Sequence, residues 1–188
     1  MRLLPLLAAL CLLALAGPAA AHPGHAGGFA DGLAHPFGGL DHVLAMVAVG
    51  LWAAQRGGRA VWLVPASFVA MMLVGGALGA LGIGLPALEL GIVGSVVALG
   101  LMVALALRLP VALGMALVGL FALWHGHAHG SEMPASAVAG LYALGFAAAT
   151  ASLHALGVGL GLALRRSPAT RWGGAGIAAA GLALLLTA

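Results

Sequence analysis

Hydrophobic residues in this chain do not alternate; they come in runs, about Gly38–Ala54, Ala60–Gly82, Ala87–Leu107, Val111–Trp124, Ser136–Leu164 and Trp172–Ala188. Each is near the roughly 17–25 residues that an α-helix needs to cross a bilayer, the fourth running short and the fifth long. The absence of period-two patterning, with Ala, Leu and Gly dominating, argues against strands. An earlier apolar stretch, Leu3 to Ala16, follows Arg2 and is closed by Pro18 and the small triplet Ala19-Ala20-Ala21. That is the layout of a secretory signal peptide. The pattern predicts an all-α integral membrane protein: residues 1–21 a signal peptide, and residues 22–188 a bundle of six transmembrane helices forming one membrane domain.

Composition agrees. The chain is 63% hydrophobic and 6% charged, against about a quarter charged for a soluble domain. All of its basic residues are arginines, set singly or in short groups between apolar runs. A nucleic-acid binder would carry a clustered basic face, so nucleic acid is excluded as a partner. The arginines instead fix orientation. Arg56 and Arg59 fall between runs one and two, Arg108 between three and four, and Arg165, Arg166 and Arg171 between five and six. In an alternating topology those loops share one side, which the positive-inside rule makes cytoplasmic. The signal peptide independently sends the mature N-terminus to the periplasm, so the expected location is a bacterial inner membrane, crossed several times.

The acids and histidines fall on the other side. His22, His25, Asp31, His35, Asp41 and His42 precede or open the first run, Glu89 opens the third, and His125, His127, His129 and Glu132 lie between the fourth and fifth. Only His154 sits mid-span. The single cysteine, Cys11, lies in the signal stretch. Any metal therefore meets nitrogen and oxygen, the donors that suit Ni²⁺, Co²⁺ or Zn²⁺.

Two clusters carry the chemistry. In His35-Pro36-Phe37-Gly38-Gly39-Leu40-Asp41-His42, Pro36 interrupts the helix and the glycines loosen the entry, so His35 can bend back toward Asp41 and His42. Asp41 serves either as a ligand or as a partner orienting a ring; a plain helix cap is the alternative. The segment His125-Gly126-His127-Ala128-His129-Gly130-Ser131-Glu132 is expected as an outer loop. If extended, its three imidazoles share one face; if helical, His125, His129 and Glu132 do. Short His-rich tracts point to metal. Glu89 is a ligand or a charge complementing a helix dipole, and His154 an inner relay or a packing residue. The methionines Met46, Met71 and Met72 read as filler. Gly75/Gly79 and Gly157/Gly161 have the spacing of close helix contacts.

The runs His35-Pro-Phe-Gly-Gly-Leu-Asp41-His42-Val-Leu-Ala-Met, Leu120-Phe-Ala-Leu-Trp-His125-Gly-His-Ala-His129-Gly-Ser-Glu132 and Ala149-Thr-Ala-Ser-Leu-His154 resemble those of the HupE/UreJ family. These are membrane accessory proteins of hydrogenase and urease systems, regarded as nickel or cobalt permeases. Trp124 stands where another aromatic is usual. The resemblance implies that His35, Asp41, His42, Glu89, His125, His129 and Glu132 matter for transport. His127 and His154 join them from the clustering and depth above. The expected function is an inner-membrane permease, not an enzyme, taking up Ni²⁺ or Co²⁺ as substrate, with no prosthetic group. Metallocentre-assembly proteins are its expected protein partners. No phosphate-binding loop for ATP is present. Two rivals use the same residues: an intramembrane zinc hydrolase, including a serine version with Ser95 or Ser152 near His154, and a scaffold or sensor that binds metal without moving it.

Overall fold

The computed structural model describes residues 28–186; the signal stretch, Cys11, His22 and His25 lie outside them. The elements are α1 (Phe29–Ala34), a 3-10 turn (His35–Gly38), α2 (Leu40–Arg56), α3 (Ala60–Ala80), α4 (Leu88–Ala104), α5 (Val111–Ser131), α6 (Ala139–Ala163) and α7 (Ala169–Leu185). The described residues are all-α. Helices α3, α5 and α6 are each long and apolar enough to cross a membrane. The chain from Phe29 to Gly38 meets α2 at 91°, and if this bent pair is one span it makes a fourth. Helix α4 is apolar but shorter, at 17 residues.

One boundary corrects the sequence expectation. The hydrophobic pattern ends the fourth run at Trp124 and leaves the histidines in a loop, but α5 continues to Ser131. Gly126 and Gly130 do not break it, because they are where α5 meets α3. A Cβ at Gly126 would run into the Met72 carbonyl, and one at Gly130 into the Gly76 carbonyl. Such backbone approach gives dense packing, which outweighs the roughly 1 kcal/mol helix penalty of each glycine. The helix stops just before Pro134, whose preceding residue disfavours helical backbone.

Glycines set the other pairings as well. Gly75 and Gly79 of α3 abut the backbone of Leu123 and His127 in α5. Gly157 and Gly161 of α6 abut Val47, Leu51 and Ala54 of α2. Both spacings evident in the sequence are contacts. Gly100 and Gly174 join α4 to α7, and Gly32 and Gly145 seat α1 on α6. Helix α2 is the centre, buried over most of its length from His42 to Ala54 and packed against α3, α4 and α6.

The arginine-bearing ends come together. Trp52 Nε1 donates to the Leu107 carbonyl (3.0 Å), Gln55 Nε2 to Val103 (3.0 Å) and Arg171 Nε to Ala104 (2.8 Å). These bonds reach carbonyls in the last turn of α4 and the segment just after it. They join the last turn of α2, the end of α4 and the start of α7 at one pole of the bundle. The histidine clusters occupy the other.

Candidate metal centre

The bend before α2 places the first cluster. Gly39 is the N-cap of α2, and a side chain there would displace the pair that follows it. A Cβ on it would lie 2.6 Å from Asp41 Oδ1 and 2.8 Å from His42 Nδ1. Asp41 Oδ1 is 2.7 Å from the His42 backbone nitrogen and 2.7 Å from its ring Nδ1. An ionised carboxylate only accepts, so His42 Nδ1 carries the proton and donates it. The lone pair is thereby left on Nε2, which is buried and has no protein partner. Asp41 therefore fixes the orientation of the His42 ring, in the arrangement found behind metal-binding imidazoles.

His125 is set in the opposite tautomer. Ser95 Oγ donates to the Ile92 carbonyl (2.7 Å) and lies 2.7 Å from His125 Nε2. Its one proton is committed to Ile92, so Nε2 donates to the hydroxyl oxygen and the free lone pair falls on Nδ1. That atom is buried and unpartnered. The sequence offers Ser95 only as a nucleophile; the structure places it in a hydrogen bond with His125, and no signal in the sequence links the two.

His129, one turn beyond His125 on α5, joins these rings. Its ring centroid is 4.2 Å from that of His42 and 4.6 Å from that of His35, and His42 lies 4.6 Å from His125. Phe146 of α6 backs His129 at 4.0 Å. Both nitrogens of His129 are buried without a partner. At the mouth, His35 Nε2 contacts Glu132 Oε2 at 3.1 Å. His35, His129 and Glu132 each offer one donor atom within 4.8 Å of the others, close enough to share an ion.

The result is a stack of four imidazoles, His35–His129–His42–His125, running from the exposed Glu132 carboxylate into the bundle. The Glu132 side chain is 63% exposed and that of His35 28%, whereas His125 is wholly buried. Leaving a buried donor or acceptor unmade costs about 1–3 kcal/mol, so this many nitrogens without a protein partner are not accounted for by packing.

The sequence model of the HupE / UreJ protein family matches residues 10–184. Protein HupE of Rhizobium leguminosarum bv. viciae is 50% identical over 182 residues, spanning 94% of this chain and 95% of that one. The chain belongs to the HupE/UreJ family. No solved structure matches it.

As a HupE/UreJ protein the chain is a membrane accessory or permease factor and not an enzyme, which removes the hydrolase. The serines expected near His154 have other partners: Ser95 is bonded to His125, and exposed Ser152 donates to the Ala148 carbonyl of its own helix (2.8 Å). Three of the residues singled out in the sequence stand apart from the HupE/UreJ stack. His127 turns away, its Nε2 donating to the Ile83 carbonyl (2.9 Å) beyond α3. It lies two residues from both His125 and His129, and about 200° of helical rotation carries it to another face. Glu89 is exposed in the first turn of α4 and is absent from the donor group at the mouth. His154 is buried deeper, level with Gly50 in mid-α2, with Phe68 at 5.0 Å and neither nitrogen partnered.

Proposed function

We propose that this HupE/UreJ protein is a six-span inner-membrane permease that takes up Ni²⁺, and Co²⁺ with it, from the periplasm for hydrogenase or urease maturation. The observation that carries the reading is the graded imidazole stack, open at Glu132 and closed at His125, with its free nitrogens turned to no protein partner. Neutral imidazole suits borderline divalent ions over Mg²⁺ or Ca²⁺, which prefer oxygen. The Glu132 carboxylate attracts the cation at the mouth, and the neutral imidazoles beyond it pass the ion on without trapping it, as flux requires.

The ion enters at His35, His129 and Glu132 and exchanges water for nitrogen. His129, free at both nitrogens, hands it to His42 Nε2 and His125 Nδ1, whose tautomers Asp41 and Ser95 have set. His154 is an inner stop on the way to the arginine-rich end, which faces the cytoplasm under the positive-inside rule. The six helices from α2 to α7 then serve as the spans, with α1 and the 3-10 turn lying across the outer mouth. On this reading Glu89 and His127 do not ligate the ion in this conformation.

The decisive experiment is radioactive nickel uptake into proteoliposomes holding only the purified protein, with cobalt and zinc as competitors. Saturable uptake, lost in His42→Ala and His129→Ala proteins that still insert, is the expected outcome. Tight binding without uptake would make the protein a metal-holding scaffold, and wild-type uptake in both variants would remove the stack from the path.

A further inference from the structure

The segment that leads into α2 carries a surface on which no other part of the bundle packs. Phe29, Leu33, Phe37 and Leu40 are 41%, 38%, 42% and 60% exposed, and Ala30 and Ala34 beside them are exposed too. The ionisable side chains of the segment before α2 lie on its half-buried side. Asp31 Oδ2 accepts from the Gly28 N–H at 3.2 Å, and His35 contacts Glu132. Gly32 and Pro36 are buried against the bundle. The outward face of α1 and the 3-10 turn is therefore apolar throughout. Single exposed apolar residues need no explanation, but a contiguous set marks an interaction surface.

The place of this face in the fold says what it meets. Helix α1 is clamped to the side of α6, since a Cβ at Gly32 would run into the Tyr142 carbonyl and one at Gly145 into the Phe29 carbonyl. Those contacts lie one to two turns inside α6, which begins at Ala139 and is long and apolar enough to cross a membrane. Near them on α6, Leu141 and Leu144 are exposed as well, at 48% and 59%. The segment meets α2 at 91°, so where α2 runs through the bilayer the segment runs along it. An element in that plane, apolar on one side, buries that side at the boundary of headgroups and acyl chains.

We propose that α1 and the 3-10 turn form an interfacial anchor, inserting Phe29, Leu33, Phe37 and Leu40 among the acyl chains of the leaflet at the histidine-bearing pole. A lipid surface is the partner because this face offers no polar side chain, whereas specific protein interfaces carry about one hydrogen bond per 100–200 Å². The proposal rests on the span assignment of the permease reading and not on transport. Its consequence is that the bilayer, together with α6, holds His35 in place against Glu132.

The test uses single-cysteine labels, for which Cys11→Ser removes the chain's only cysteine. Ala30→Cys, Leu33→Cys and Phe37→Cys proteins carry a bimane fluorophore in phosphatidylcholine bilayers with or without brominated acyl chains, and iodide serves as the aqueous quencher. Ser136→Cys, in the loop between α5 and α6, is the water reference, and Leu156→Cys, on the exposed side of α6, is the lipid reference. The expected result is quenching by brominated lipid about twofold or more above that of the Ser136 label at all three positions, with weaker quenching by iodide. Ala30 is small and exposed, so its variant reports should the Phe37 variant fail to fold. Iodide quenching as strong as at Ser136 would overturn the anchor. Protection from both quenchers would overturn it too, by showing that protein covers the face. A Leu156 label untouched by brominated lipid would defeat the span assignment itself, whereas a quenched Leu156 label beside water-exposed Leu33 and Phe37 labels would defeat the anchor alone.

Discussion

Asp41 and His42 are neighbours in sequence and partners in space, the Asp41 carboxylate oxygen lying 2.7 Å from the ring Nδ1 of His42. Since the carboxylate accepts the hydrogen bond of Nδ1–H, the ring's lone pair is left on Nε2. Loss of such an orienting partner typically costs about 10–100-fold in metal affinity. Asp41→Ala should therefore weaken nickel binding by about that factor and raise the nickel concentration needed for half-maximal uptake, while leaving transport at high nickel. His42→Ala removes the donor itself and should abolish uptake. A concentration series of uptake for the two variants separates them; identical total loss would make Asp41 a direct ligand.

Gly39 protects the same pair. A methyl there meets both Asp41 Oδ1 and His42 Nδ1, whereas a methyl on the adjacent Gly38 meets nothing within 4 Å. Gly39→Ala should reproduce the affinity loss of Asp41→Ala, because the carboxylate and ring must separate. Gly38→Ala should bind nickel as wild type. Equal behaviour of the two glycine variants in a binding titration would refute the crowding argument.

Much of this is legible in the sequence, and what is not has physical reasons. Each of the six apolar runs falls on one of the helices α2 to α7, because burial in lipid or bundle requires continuous hydrophobicity whatever the partners. The break at Pro36 through Gly39 can be read from backbone restriction alone. What misleads is the pair Gly126 and Gly130. Intrinsic propensity makes them helix breakers, but their value lies in contact with Met72 and Gly76, residues of a different helix distant in sequence. The same blindness hides Ser95 behind His125 and Phe68 beside His154, since both pairings depend on how helices are laid side by side. His127 is indistinguishable from its neighbours by composition; only the helical rotation between it and His129 separates their roles.

The glycine seam between α3 and α5 carries a stability prediction. Placing a methyl at Gly126 forces it against the Met72 carbonyl, and overpacking of this kind costs about 1–3 kcal/mol. Gly126→Ala should lower the thermal midpoint of the purified protein, measured by loss of its monodisperse peak on heating in detergent. Gly159 on α6, where an added methyl would meet nothing within 4 Å, is the control. Gly159→Ala should match or slightly exceed wild type, since alanine is the better helix former. A Gly126 variant as stable as the control would mean that α5 does not press on α3 as described.

His127 and His129 provide the sharpest contrast, being two residues apart on one helix. His129 has both nitrogens free and touches the rings of His35 and His42; His127 gives Nε2 to the Ile83 carbonyl. That bond ties the segment after α3 to α5, a structural role worth about 1 kcal/mol. His127→Ala should therefore keep nickel affinity and uptake near wild type while modestly lowering thermal stability. His127→Gln, which can still donate to Ile83, should recover most of that stability. His129→Ala should lose uptake, and whatever stability it loses comes from packing against Phe146, since no hydrogen bond goes with its ring, so glutamine should not restore it. If the two alanine variants instead lose uptake alike, the ion path includes His127, and the loop at Ile83 must open during transport to free its ring.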